Sequence, residues 1–164
     1  MSGYVKLGRK IVRDYNLLGA CGLYCGACNH YRASFPESKH LLDKALEQGR
    51  KLEGFTCSGC RSGKLYIYKG CAECDIRACV EMKRIEHCGE CQELPCDKLV
   101  SFQNDGRTHH LDVVSNANEI MQKGMEQWLM DQKEKWQCKC GLPFSWYEDK
   151  CGKCSSIVDS YSPK

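Results

Sequence analysis

"CKCGLPFSWYEDKCGKC", residues 138–154, sets Cys138-x-Cys140 ahead of Cys151-x2-Cys154 with ten residues between the pairs. Two tight turns that each present two thiolates suit one tetrahedral ion, and a hairpin between them would bring the sulfurs together. Gly141 and Gly152 permit turns whose backbone N–H groups point at sulfur. The segment reads as a zinc ribbon whose first turn is one residue shorter than the usual C-x2-C. Rubredoxin-like iron is the alternative, and Zn²⁺ is the default.

The rest of the chain shares this habit. Fifteen of the 164 residues are cysteine, close to the fraction that marks a small stapled protein. Leu, Ile, Val and Phe are sparse, so a purely hydrophobic core would be thin for this length. The cysteine count is odd and nearly all cysteines stand in short-range pairs, which make poor disulfides and good chelating turns. The start, "MSGYVKLGRKIVRDYNLLGA", has no apolar run of signal-peptide length, and no stretch approaches the ~20 apolar residues of a membrane span. A cytoplasmic location, where thiols stay reduced, is expected, with metal as the staple.

Upstream, Cys57-x2-Cys60 and Cys71-x2-Cys74 repeat the two-turn arrangement, again ten residues apart. Cys71/Cys74/Cys79 and Cys88/Cys91/Cys96 share the pattern C-x2-C-x4-C, offset by 17 residues, a short internal repeat of ligand turns. Spacing alone leaves open which pair closes with which. "CGLYCGAC" (21–28) carries Cys21-x3-Cys25-x2-Cys28, the spacing radical-SAM enzymes use for a catalytic cluster. The chain lacks the strand–helix alternation of a barrel, so these three read as ligands of a fold-building site closed by a distant Cys or His. A [4Fe–4S] cluster is the rival at this and the neighbouring N-terminal sites, because zinc and iron–sulfur centres share thiolate ligands. Four tetrahedral sites need sixteen ligands, which fifteen cysteines and one histidine would supply. His87, directly before Cys88, is the candidate, with His30 next. The alternative makes both surface residues. His40, His109 and His110 show no ligand spacing and read as ordinary exposed residues.

Between the ligand turns, Ser34 and Glu37 have capping-box spacing with Pro36 in the first turn, and apolar residues then recur at helical spacing to Leu52. This predicts a helix from about Pro36 to Lys51. "LYIYK" (65–69) suggests short strands, and "IRACVEMKRIE" (76–86) a short helix. Val114, Ala117, Met121, Met125 and Trp128 share one face of a helix of about twenty residues, weakened at Gly124. The expected fold is α+β. It comprises a metal-stabilised cysteine-rich domain with a few helices over 1–110, a connecting helix over 111–136, the zinc ribbon over 137–156 and a flexible tail over 157–164.

The order of motifs, "CGLYCGAC", "CSGC", "CDIRAC", "CGECQELPC" and "EKW" leading into the last cysteines, resembles the cysteine-rich family called domain of unknown function 3795. The resemblance runs from about Cys21 to Cys154. It implies a small metal-binding prokaryotic protein and lends no activity. Cys21, Cys25, Cys28, Cys57, Cys60, Cys74, Cys79, Cys88, Cys91 and Cys96 fit the family pattern. Cys71 is less regular in it, and the shortened Cys138–Cys140 turn departs from it.

Three function classes follow: a zinc-structured interaction or adaptor module, an iron–sulfur redox or electron-transfer protein, and an enzyme with an open metal position. No paired carboxylates, phosphate-cradling loop, nucleophile elbow or H-E-x-x-H supports the third, so the reading leans away from catalysis. Lys133, Lys135, Trp136, Lys139, Phe144, Trp146 and Tyr147 mix cations with aromatics as nucleic-acid binders do. Charge argues back. About four Zn²⁺ on fifteen thiolates would carry the formal +3 to roughly −4, leaving phosphate attraction to a local patch such as Lys6, Arg9, Lys10 and Arg13. A protein partner is favoured, with about three or four Zn²⁺ ions bound and no membrane contact.

Overall fold

A computed structural model describes residues 15–51, 55, 57–63 and 67–162. Among these residues no strand or sheet forms. Strand-like pairing is limited to isolated bridges joining Leu18 to Tyr24, Gln137 to Pro143 and Lys150 to Ile157. The fold is helical, which corrects both the α+β expectation and the β-hairpin of a zinc ribbon. The reason lies in where the C-terminal backbone spends its hydrogen bonds. Trp146 N–H donates to Ala27 C=O at 2.9 Å rather than across a hairpin, and Cys138 and Cys151 N–H close local turns onto Leu142 and Ser156 C=O. Pro143 has no N–H to give. A ladder cannot propagate through such a segment.

The helices are α1 (Asn29–Arg32), α2 (Lys39–Glu47), α3 (Lys69–Ala72), α4 (Asp75–Lys83), α5 (Asp97–Gln103), α6 (Val113–Lys123) and α7 (Met125–Lys135), with 3₁₀ turns at Cys25–Ala27, Pro36–Ser38, Cys88–Glu90 and Thr108–Asp112. The helix expected over 36–51 is therefore a 3₁₀ turn running into α2. Its capping box does not form. Ser34 Oγ instead accepts the Cys57 N–H at 3.1 Å, and Glu37 pairs with Arg32 at 3.3 Å. The helix expected within 76–86 is α4, with Asp75 in its first turn, Lys83 in its last and an Arg77–Glu81 pair at 2.9 Å along it. The "LYIYK" strand lies partly outside the described residues, and its Lys69 opens α3 instead. The basic lead-in lies wholly outside them.

The expected long helix is two. Gly124 takes φ 82° and ψ 156°, a conformation essentially closed to other residues, and ends α6 where α7 begins. The buried face of α6 is Val113, Asn116, Ala117 and Ile120, rotated one position from the expected stripe, so Met121 is 56% exposed. A break at Gly124 frees α6 from keeping phase with Trp128. α6 packs against α5, α7 and the Cys88–Glu90 turn. At that last contact Gly89 is required, because a Cβ there would meet Ala117 C=O at 2.6 Å.

One core joins the ends of the chain. Leu18, Tyr24 and Ala27 pack in the same buried cluster as Leu99, Val113, Trp128, Trp136, Phe144 and Trp146. Fully burying side chains of this size contributes about 1.5–3 kcal/mol each. Residues 157–162, expected as a flexible tail, also dock. Val158 is buried, Tyr161 N–H donates to Trp146 C=O at 2.8 Å, and the Tyr161 hydroxyl donates to the Asp112 carboxylate. The histidines expected on the surface divide. His40 is half exposed and pairs with Glu148, whereas His110 is 3% exposed, stacked on Phe102 and bonded to Asp105. No described helix is long and apolar enough to cross a membrane.

Candidate metal centre

The C-terminal turns bring four thiols together. Cys138 Sγ lies 3.6 Å from Cys154 Sγ, and Cys140 Sγ lies 3.5 Å from Cys151 Sγ. All four sulfurs fall within 4.8 Å of one another. A tetrahedral ion with Zn–S bonds of about 2.3 Å needs sulfur edges of about 3.8 Å. Little movement separates the two arrangements. The electrostatics favour thiolates at the second turn. The Cys154 N–H, then burial acting against it and the Lys153 N–H, leave Cys151 below its ordinary value. The Ser156 hydroxyl, 3.3 Å from Cys154 Sγ, brings that thiol down to about 6. Deprotonated sulfur is the form that binds metal.

Among the described residues no second group of three or more such ligand atoms converges this closely. The other eleven cysteines gather around two places in the fold, which communicate where Cys88 acts on Cys21 and Cys74 on Cys88. In the first, the 3₁₀ turn at Cys25–Ala27 faces the 57–60 turn. The Cys25 thiol is hydrogen-bonded to Cys60, which raises Cys25 and lowers Cys60. Burial pushes Cys28 up to about 11, with Cys57 and Cys60 adding repulsion. Cys71 has an exposed surface, yet crowding around its thiol raises it to about 12, helped by Cys28, Cys60, Cys57 and Cys74. Burial raises Cys21 well above its usual value, and Cys60, Cys74 and Cys88 add to it.

The second neighbourhood is a cavity of about 430 Å³ between α4, the Cys88–Cys91 turn and the start of α5, and its lining includes Cys79, Cys88, Cys91 and Cys96. Burial lifts Cys88 to about 12, with Cys96, Cys79, Cys91 and Cys74 adding repulsion. Sequence reasoning missed Lys83, whose Nζ stands 3.3 Å from Cys91 Sγ and 2.7 Å from the Glu93 carboxylate. The signal was present, since Lys83 follows Cys79 by four residues and so shares its helix face. Ser156 was missed for a different reason: nothing but the folded turn shows it.

His87 is almost fully buried. Its Nδ1 accepts the Gly89 N–H at 3.0 Å, capping the Cys88–Glu90 turn, and its Nε2 faces Glu90 at 3.8 Å. His30 Nδ1 is bonded to Phe55 C=O and its ring stacks on Tyr68. Three of the aromatics considered for base stacking are interior, with Trp136 and Phe144 each 3% exposed and Trp146 7%.

Helical architecture, fifteen free thiols and a four-cysteine cluster able to chelate a metal define a cysteine-rich metal-binding module. The chain belongs to the family described as Protein of unknown function (DUF3795), whose model matches residues 17–101. The converged C-terminal cluster lies beyond the matched stretch, whereas the other eleven cysteines lie inside it. No curated protein and no solved structure matches the chain.

Proposed function

We propose that the chain is a zinc-structured module that docks a protein partner in the cytoplasm. The observation that carries the zinc reading is the convergence of Cys138, Cys140, Cys151 and Cys154 within 4.8 Å. Four thiolates close a tetrahedral shell and leave no position for substrate, as in structural rather than catalytic zinc sites. The ion would hold 138–154 in the shape that delivers Phe144 and Trp146 to the core. Fifteen free thiols suit a reducing compartment.

A protein partner is favoured over nucleic acid because three of the four aromatics beside the cluster, Trp136, Phe144 and Trp146, are spent on the core. Lys135 also faces Asp112 at 3.8 Å. The exposed Met82, Met121 and Met130 offer adaptable apolar contacts instead. Metal analysis of the purified protein tests the zinc reading. One tightly held zinc per chain, lost in Cys140→Ser, is expected, and iron bound at this cluster would refute it. Measurable affinity for a single-stranded oligonucleotide at about 0.15 M salt would overturn the partner assignment.

A further inference from the structure

We infer that Cys79, Cys88, Cys91 and Cys96 hold a [4Fe–4S] cluster in the cavity between α4 and α5. The inference is independent of zinc at the C-terminal site.

The contrast within the molecule carries it. Where the chain builds a single-ion site, all four sulfurs lie within 4.8 Å of one another, two of the pairs at 3.5–3.6 Å. Around the cavity Cys79, Cys88, Cys91 and Cys96 line one larger space, and among the described residues they do not form a converged group like the C-terminal one. A cubane cluster has that requirement, because its four cysteines bind four different irons across the body of the cluster. A lone zinc ion would have to draw the same sulfurs inward and collapse a space of about 430 Å³.

The walls agree. Ile76, Val80, Ile85, Leu94 and Leu99 line the cavity beside the cysteines, with Glu93, Asp97 and Lys98 as its charged part, so a cluster there would be shielded from water on its apolar side. Burial and hydrogen bonds to sulfur set the potential of such centres. Lys83 supplies both a hydrogen bond to Cys91 Sγ and a positive charge beside a cluster whose four thiolates leave it negative overall. The ligands come from distinct elements: Cys79 from α4, Cys88 from the 3₁₀ turn, Cys91 from the residue that follows that turn, and Cys96 from the residue before α5. They grip the space from different sides.

The full-length protein, purified without oxygen and reconstituted with ferric iron, sulfide and a thiol reductant that converts part of the iron to ferrous, tests the assignment. A brown species absorbing near ~400 nm, with about four irons and four sulfides per chain, is expected. Cys140→Ser should keep that chromophore, and Cys79→Ala and Cys96→Ala should lose it while retaining helical circular dichroism. Lys83→Met should keep the chromophore and shift its midpoint potential. The assignment fails if the wild type stays colourless and takes up a second zinc. It fails equally if the chromophore survives in Cys79→Ala and Cys96→Ala, or if Lys83→Met leaves the potential where it was.

Discussion

The C-terminal knot and the α4–α5 cavity each gather four cysteines, and they do so in opposite ways. In the knot the ligand turns lie close in sequence, and the sulfurs converge near the surface, with Cys154 exposed. At the cavity the cysteines ride on α4, a 3₁₀ turn with the residue after it, and the lead-in to α5, around a space walled in part by Ile76, Val80, Ile85, Leu94 and Leu99. Local turns can collapse onto one ion by themselves. Ligands mounted on packed helices keep whatever separation the packing sets. Ligand spacing in sequence therefore reports on the site only where the ligands share one local segment.

The largest expected effect separates the two regions through their ligands. Cys151→Ser should abolish zinc binding at the knot and lower stability by several kcal/mol, since structural zinc contributes on the order of 10 kcal/mol to small sites. Cys151 is only 2% exposed and its segment carries Phe144 and Trp146. Thermal melting with zinc analysis checks this, and an unchanged melting temperature would separate the knot from the core.

Gly89→Ala probes the other region. The added methyl would push the Cys88–Glu90 turn off α6, at a cost of about 1–3 kcal/mol, and should disturb the cavity thiols while the knot keeps its metal. Thiol titration with a slow alkylating reagent, read by mass spectrometry peptide by peptide, should show faster labelling at Cys88 and Cys91 only. Faster labelling at Cys151 as well would mean that the two regions are rigidly coupled.

A smaller effect depends on pH. His109 stacks on Trp146 and shares a 2.6 Å hydrogen bond with the Tyr147 hydroxyl, and burial, with His110 and Arg107 nearby, holds its ring down to about 3. The unfolded chain takes up that proton near an ordinary value of about 6.5. The contribution is thus complete above about 6.5 and lost as pH falls toward 3. Full linkage would give about 1 kcal/mol for the pH unit below 6.5, and discounted for partial exposure it should amount to about 0.5 kcal/mol. The difference in stability between wild type and His109→Gln should narrow from pH 7.5 to 5.5, and a constant difference would exclude the linkage.

Cys71→Ser should be the mildest of these changes, within about 0.5 kcal/mol, because its residue surface is exposed. A loss as large as that of Cys151→Ser, measured in the same melting series, would make Cys71 a ligand the fold depends on.

What could be read from the chain divides along the same line. The helix over Lys39–Glu47, shorter at both ends than the span expected from Pro36 to Lys51, and the one carrying Cys79 follow from spacing, because i to i+4 relations are local. The Ser34–Glu37 capping box matched in sequence and failed in the fold: the Cys57 N–H, remote in the chain, claims the Ser34 hydroxyl. The buried stripe of α6 lies one position from the one the spacing predicts, because Gly124 divides two helices where the periodicity implies one. The histidine at 110 looked like a surface residue, and only its stack on Phe102 accounts for its burial.

The sequence by itself determined the family and the cysteine-rich, metal-ready character. It also placed the 138–154 ligand turns, since two chelating turns joined by a short loop can meet without help from the rest of the chain. Tertiary structure alone decided the absence of strands among the described residues. Trp146 N–H goes to Ala27 C=O, a bond to the far end of the chain that no hairpin pattern encodes. It alone also sorted the remaining cysteines into two neighbourhoods, because their separations depend on how α4, α5 and α6 pack. That packing is fixed by contacts such as Gly89 against Ala117, between residues distant in sequence.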